Sequence, residues 1–206
     1  MNKARILEGH DDEAIADWVR GRLSSFLGGS DGPVTISLPG GSTPPPIYRK
    51  LASFDLDFSR VVIWPGDDRQ VPVDHEASNE GMLRSIFEPA GAEVVSLTVM
   101  EQVPPFDLVW VGMGEDGHTA SLFPNTDPRI DDPQPIRRIT PDPLPPDAPY
   151  DRISLTIPSL TDTRELMLVV RGETKRRILD EAIAGKIDVP VARLLKAAKQ
   201  PVTCFV

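Results

Sequence analysis

Three short polar segments hold most of the residues in this chain that could do chemistry. The first is Pro39-Gly40-Gly41-Ser42-Thr43-Pro44. Glycines let a backbone approach a ligand closely, and the hydroxyls of Ser42 and Thr43 add donors. A helix opening at Pro44 would aim free N–H groups and positive partial charge into the same segment. Pro44, Pro45 and Pro46 carry no N–H, so donors to an anion must come from Gly40, Gly41, Ser42 and Thr43. No Gly-Lys-Ser/Thr follows, which excludes a Walker loop. Phosphate binding is the functional reading, and a tight turn capped by Ser42 or Thr43 is the structural one.

The second segment is Gly66-Asp67-Asp68-Arg69-Gln70-Val71-Pro72, with Ser78-Asn79 shortly after. The forked guanidinium of Arg69 suits phosphate or carboxylate. Asp67 and Asp68 could orient that arginine or a substrate hydroxyl, and Asp67 is taken as a candidate catalytic residue. A solvated Asp–Arg turn would look the same at this level. In the third segment, residues 112–124, Gly112-Met113-Gly114-Glu115-Asp116-Gly117-His118 is followed by Thr119-Ala120-Ser121-Leu122-Phe123-Pro124. Gly112, Gly114 and Gly117 spell G-x-G-x-x-G, but a dinucleotide site also wants an acidic ribose ligand about twenty residues on, at a strand end. Asp131 and Asp132 fit the count but begin a proline-rich stretch. A histidine here points instead to proton transfer, because its intrinsic pKa lies near neutrality. His118 is therefore the candidate acid–base and Asp116 its orienting partner, with a helix entrance expected at His118. Of the other histidines, His10 reads as surface and His75 is undecided. Further cations come from Arg152, at the start of a strand, and Lys175, at the start of a helix; both are candidate phosphate ligands, although Lys/Arg runs on helices are usually solvated.

Something must carry these segments to one place. Apolar runs at 4–7, 34–38, 60–64, 107–111, 153–157, 165–170 and 202–206 read as strands. Helical stretches follow at about 12–29 (capped by Asp11), from Pro44, at 78–87 and at 173–184. The proline-rich stretch 131–149 reads as an extended surface loop. Strand–loop–helix repetition predicts a three-layer α/β/α fold with a mostly parallel, Rossmann-like sheet in a single domain spanning residues 1–206. Ligands of such sheets bind beyond the carboxyl ends of the strands, so all three polar segments should converge on one crevice.

Bulk properties narrow the ligand. The chain has 206 residues, 40% hydrophobic and 26% charged, with 22 prolines. A formal charge of -9 argues against a nucleic-acid or anionic-membrane partner, and it requires any site for an anion to be a local basic island. Cys204 is the sole cysteine, which leaves no intramolecular disulfide and no cysteine zinc cluster. Without an apolar N-terminal run or a stretch of eighteen apolar residues, a cytoplasmic protein is expected.

Taken together, the three segments resemble the signatures of the 6-phosphogluconolactonase family, in the same order. Arg152-Ile153-Ser154-Leu155-Thr156 and Gly172-Glu173-Thr174-Lys175 are similar to its later segments. The resemblance implies a fold shared with glucosamine-6-phosphate deaminases and ribose-5-phosphate isomerases. It also implies hydrolysis of 6-phosphogluconolactone in the oxidative pentose phosphate pathway, with no metal and no cofactor. On it, His118 is the general acid–base and Arg69 a substrate ligand, with a small phosphosugar lactone as partner and a monomer or weak homodimer as the working unit. Asp68 stands where the family commonly has glutamate. Backbone N–H groups of residues 112–117 are candidate oxyanion donors. Two alternatives remain: a glucosamine-6-phosphate deaminase-like enzyme, whose loop after the histidine would be acidic rather than Thr119-Ala120-Ser121, and a non-catalytic sugar-phosphate-binding module.

Overall fold

The computed structural model describes residues 4–146 and 148–206; Met1, Asn2, Lys3 and Asp147 lie outside the described residues. In chain order the elements are β1 (Arg5–Leu7), α1 (Asp12–Gly29), β2 (Val34–Leu38), α2 (Pro44–Ala52), β3 (Val61–Pro65), β4 (Asp67–Arg69), α3 (Asn79–Phe87), β5 (Glu93–Val94) and β6 (Phe106–Val111). They continue with β7 (Ile136–Ile139), β8 (Arg152–Leu155), α4 (Ile157–Thr161), β9 (Thr163–Val169), α5 (Glu173–Ile183), α6 (Pro190–Ala197) and β10 (Val202–Phe205).

Seven strands form one sheet in the order β1-β10-β9-β6-β2-β3-β5, every neighbouring pair parallel. Side chains alternate across it, as the period of two demands. Ile36, Leu38, Ile63, Leu108, Trp110, Met167 and Phe205 enter one core, where Ile15, Val19 and Leu23 of α1, Ile47 and Leu51 of α2, and Leu83 and Phe87 of α3 meet them. Val109, Val111, Leu166, Leu168 and Cys204 enter the other, against Leu160 of α4, Leu179 of α5, and Val191 and Leu194 of α6. Both faces are covered, so the expected α/β/α layering is the observed one. Local signals explain the boundaries. The Asp11 side chain accepts from Ala14 N–H at 2.8 Å and caps α1, Ser78 caps α3 through Gly81 N–H, and Pro44 occupies the first turn of α2.

Four expectations need correction. Asp67–Arg69 is a strand rather than a loop, because it pairs antiparallel with β8 in a second sheet, β4-β8-β7, where Arg69 sits opposite Arg152. The proline-rich stretch is not all extended loop: Ile136-Arg137-Arg138-Ile139 alternates apolar and polar and forms the outer strand of that sheet. A further helix, α6, lies at Pro190–Ala197, where Val189 at the cap gives no polar capping signal. Finally, no helix opens at His118. Residues 119–122 fold into a tight turn closed by a Thr119–Leu122 bridge, with Ala120 at φ 49°, and Pro124–Thr126 makes a single 3-10 turn.

The topology locates the crevice. From β2 the chain steps through β3 to β5 at one edge, then returns to the other side of β2 with β6 and moves on to β9. The loops after β2 and β6 therefore depart in opposite directions and leave an opening between them, the switch point at which ligands of open α/β sheets are held.

Candidate active site

That opening is a crevice of about 320 Å³ whose walls include Gly40, Gly41, Ser42 and Thr43 from the first segment, and Asp67 and Arg69 from the second. Gly114 and His118 of the third segment line it too, as do Arg152 and Lys175. Of the candidate residues singled out from sequence, Asp68 and Asp116 are absent from the walls, and Asp116 touches one that is present. Its Oδ1 lies 2.6 Å from His118 Nδ1 and also accepts the His118 backbone N–H at 3.0 Å. Burial alone would raise the Asp116 pKa. The hydrogen bonds from the His118 ring and backbone, together with the ring's charge, outweigh that effect and hold the carboxyl below its ordinary range. The His118 ring packs on Phe123, with centroids 4.7 Å apart and planes at 40°. Gly114 is dictated by this seat: a Cβ there would stand 2.1 Å from His118 Cε1 and 2.2 Å from Nδ1.

Among the described residues, the N–H groups and hydroxyls of residues 40–43 donate no hydrogen bond within the protein. Thr43 occupies the cap position of α2 without making a side-chain cap bond, so the capped-turn reading does not hold for its hydroxyl. Gly41, at φ 94°, adopts a backbone conformation that suits glycine. Tyr48, fully buried, donates its hydroxyl to Pro39 C=O at 2.9 Å and ties the segment to α2.

In the second segment the two acids have different duties, and neither forms an ion pair with Arg69. Asp68 is a structural cap. Its Oδ1 accepts from Asn79 N–H at 2.6 Å and Arg69 N–H at 2.7 Å, and its Oδ2 from Glu80 N–H at 2.9 Å and the Ser78 hydroxyl at 3.2 Å. Burial raises its pKa, the three backbone donors oppose that, and the neighbouring charge of Asp67 adds to the rise. Asp67, also buried, accepts the Ser121 hydroxyl on Oδ2 and receives Asn79 Nδ2 on its backbone carbonyl at 2.8 Å. Arg69 is held by a carbonyl: Nη1 donates to Ala77 C=O at 2.7 Å. Arg152, only 3% exposed, likewise donates Nη1 to Tyr150 C=O and Nη2 to Ala148 C=O. Burial and then the adjacent Arg69 charge lower the Arg152 pKa, against the opposing charges of Asp67, Asp151 and Asp68.

Among the described residues, none of the ion pairs involves Arg69, Arg152 or Lys175. The three cations thus make the local basic island that the net charge requires. A larger groove of about 930 Å³ beside α5 and α6 is lined by Arg129, Arg193, Lys186 and Lys196 together with the acids Asp131 and Asp188. Its arginines are already neutralised, Arg129 by Asp131 and Arg193 by Asp188 and Asp127.

The sequence did not single out Ser121 or Phe123, and it noted Asn79 without giving it a role. Asn79 packs against Gly40, where a Cβ would fall 1.8 Å from its Oδ1, so it joins the first two segments. The only signal for these residues was their place inside motifs already under suspicion. One expectation is also narrowed: Gly114 N–H donates to His118 C=O and Gly117 N–H to Gly114 C=O, so neither is an oxyanion donor. Among the described residues, no group of three or more His, Cys, Asp or Glu is placed to hold a metal ion.

Comparison with known proteins gives the arrangement a lineage. The family model of glucosamine-6-phosphate isomerases/6-phosphogluconolactonase matches residues 12–93 and 88–203. The chain is similar to the 6-phosphogluconolactonase of Pseudomonas aeruginosa, 33% identical over 207 residues, covering 89% of this chain and 86% of that protein. It is similar also to the 6-phosphogluconolactonase of Pseudomonas putida, 34% identical over 88% of this chain and 83% of the other. Among solved structures, a 6-phosphogluconolactonase from Thermotoga maritima superposes with a TM-score of 0.84 at 23% identity, covering 99% of each chain. A second, from Shewanella baltica, gives 0.83 at 25% identity over 98% of this chain and 97% of that one. With the three segments in order, on the expected fold and around one crevice, the chain belongs to the glucosamine-6-phosphate isomerase/6-phosphogluconolactonase family.

Proposed function

We propose that this crevice hydrolyses 6-phospho-D-glucono-1,5-lactone to 6-phosphogluconate, as an esterase of the oxidative pentose phosphate pathway. The observation that carries the reading is the His118–Asp116 contact in a crevice that also holds Arg69, Arg152 and Lys175, three cations without an ion-pair partner among the described residues. A carboxylate only accepts, so Asp116 selects the tautomer with the proton on Nδ1 and leaves Nε2 as the base. His118 takes a proton from water as the water oxygen bonds to the lactone C1. The tetrahedral intermediate then collapses, the C1–O5 bond breaks, and the imidazolium returns its proton to the leaving ring oxygen. Arg69, Arg152 and Lys175 clamp the distant phosphate with the N–H groups and hydroxyls of residues 40–43, which fixes C1 beside the ring. Asp67, steadied by Ser121, is placed to orient a sugar hydroxyl. The reaction so written uses no metal or cofactor.

The working unit on this reading is a monomer or weak homodimer. A cytoplasmic location suits a chain whose sole cysteine, Cys204, is free and buried, and no helix among the described residues is long and apolar enough to cross a membrane.

The test is hydrolysis of freshly prepared lactone above its spontaneous rate. His118→Ala should lose roughly 10²- to 10⁴-fold in kcat while still binding 6-phosphogluconate; full activity in that variant would overturn the mechanism. Arg69→Ala should act mainly on KM. Release of ammonia from glucosamine 6-phosphate would favour the deaminase reading instead.

A further inference from the structure

His75 lies outside the proposed chemistry, yet the bonds around it lead to the substrate. Its Nδ1 accepts the Ala77 N–H at 3.0 Å. A backbone amide only donates, so Nδ1 carries no proton there. The His75 carbonyl accepts the Ser78 N–H at 2.9 Å, and Asp68 accepts the next amide, Asn79 N–H, at 2.6 Å. Ala77 is thus fixed from both sides, by the His75 ring before it and by the Asp68 cap after it. The Ala77 carbonyl in turn receives Arg69 Nη1 at 2.7 Å. The same imidazole packs edge-on against Tyr150, with centroids 5.5 Å apart, and the Tyr150 carbonyl receives Arg152 Nη1. Arg69 and Arg152 are cross-strand partners, so the ring bonded to the residue that anchors Arg69 also packs on a residue that anchors Arg152.

From this juxtaposition we infer that His75 is a positioning residue for Arg69, acting through the Ala77 carbonyl and not by touching substrate. The physical reason for such indirect support is charge. A carboxylate beside Arg69 would hold the side chain more tightly but would cancel the charge the substrate phosphate needs. A carbonyl leaves the charge intact and holds less firmly, so the peptide that carries it must itself be fixed.

The inference rests on Arg69 being a phosphate ligand, and the experiment separates the two claims. KM and kcat for 6-phosphogluconolactone are measured for wild type, His75→Ala, His75→Asn, Arg69→Ala and the double variant His75→Ala/Arg69→Ala. Losing one backbone-fixing hydrogen bond should raise KM about 3- to 10-fold in His75→Ala with kcat within about twofold. Asparagine can accept from the amide two residues on, as in an Asx turn, so His75→Asn should recover most of that loss. Because His75 acts through Arg69, its removal should add little once Arg69 is gone. An unchanged KM in His75→Ala, an equal fall in kcat, no rescue by asparagine, or a full additive loss in the double variant would each overturn the inference. If Arg69→Ala leaves KM unchanged, the phosphate assignment fails and this inference falls with it; if Arg69→Ala raises KM and His75→Ala does not, only the role of His75 is lost. Nitrogen-15 NMR of the wild-type protein gives a check that needs no variant: a His75 ring protonated at Nδ1 under assay conditions would overturn the inference.

Discussion

Asp116 and His118 are two residues apart, and that spacing lets one carboxylate oxygen take both the backbone N–H and the ring Nδ1 of the histidine. The turn is legible in the sequence because Asp116-Gly117-His118 places a short acceptor ahead of a glycine, which here adopts φ 78°. Ser121 was not legible as a partner of Asp67: fifty-four positions separate them, and only the folding of both segments onto the second sheet brings hydroxyl to carboxylate. The Asp116 contact has a pH signature. Its carboxyl is held below its ordinary value, so its contribution to stability is complete above the unfolded-state pKa and is lost as pH falls through the folded-state value. Asp116→Asn should therefore lower stability at pH values above the ordinary carboxylate range, and the difference from wild type should shrink below about pH 4. With the Asp116 side chain 51% exposed, solvent screening keeps that loss small. The larger effect is on rate. An amide no longer enforces the tautomer, and kcat should fall on the order of 10²-fold or more. A variant of wild-type kcat would show that the ring needs no orienting partner.

Among the elements, β4 shows where reading from sequence stops. Asp67-Asp68-Arg69 has poor strand propensity and reads as a loop, but pairing with β8 makes it a strand and sets Arg69 beside Arg152. Tertiary pairing of this kind leaves no local trace. The same holds for the stretch after His118, where Thr119-Ala120-Ser121-Leu122 carries no residue that forbids a helix, yet the chain turns at Ala120 with φ 49°. By contrast β2, β6, α1 and α2 follow from apolar runs, caps and Pro44, and appear close to where those signals put them. The junction of β4 with α3 depends on Asp68, whose two oxygens receive four donors. Asp68→Asn replaces one acceptor with an NH2 group, and the donors on that side lose their partner. Orphaning one buried amide costs about 1–3 kcal/mol, which in a chain of this size lowers Tm by roughly 2–10 °C. Because the same junction carries Ala77 and so Arg69, KM should rise along with the loss of stability. Thermal melts together with KM values check both; a variant that keeps wild-type Tm would show that the cap is dispensable.

Across the whole molecule, the charge distribution sets a problem that any phosphorylated substrate must meet. The protein carries a formal charge of -9, yet Arg69, Arg152 and Lys175 line one crevice without an ion-pair partner among the described residues. On the proposed reading, the substrate feels net repulsion at long range and within contact distance meets three cations, one of them almost wholly buried. Salt acts differently on these two terms. The Debye length shortens from about 30 Å at 0.01 M to about 10 Å at 0.1 M, so the distant repulsion is screened first, while contacts inside a partly enclosed crevice are screened much less. Raising sodium chloride over that range should leave kcat/KM level or increase it slightly. Arg152→Ala should lower kcat/KM at every salt concentration without steepening the dependence, because Arg152 acts at contact and not during approach. A steep fall in wild-type kcat/KM with salt would mean that the basic island projects its field well beyond the crevice mouth, and that the acidic surface has little say in how the substrate arrives.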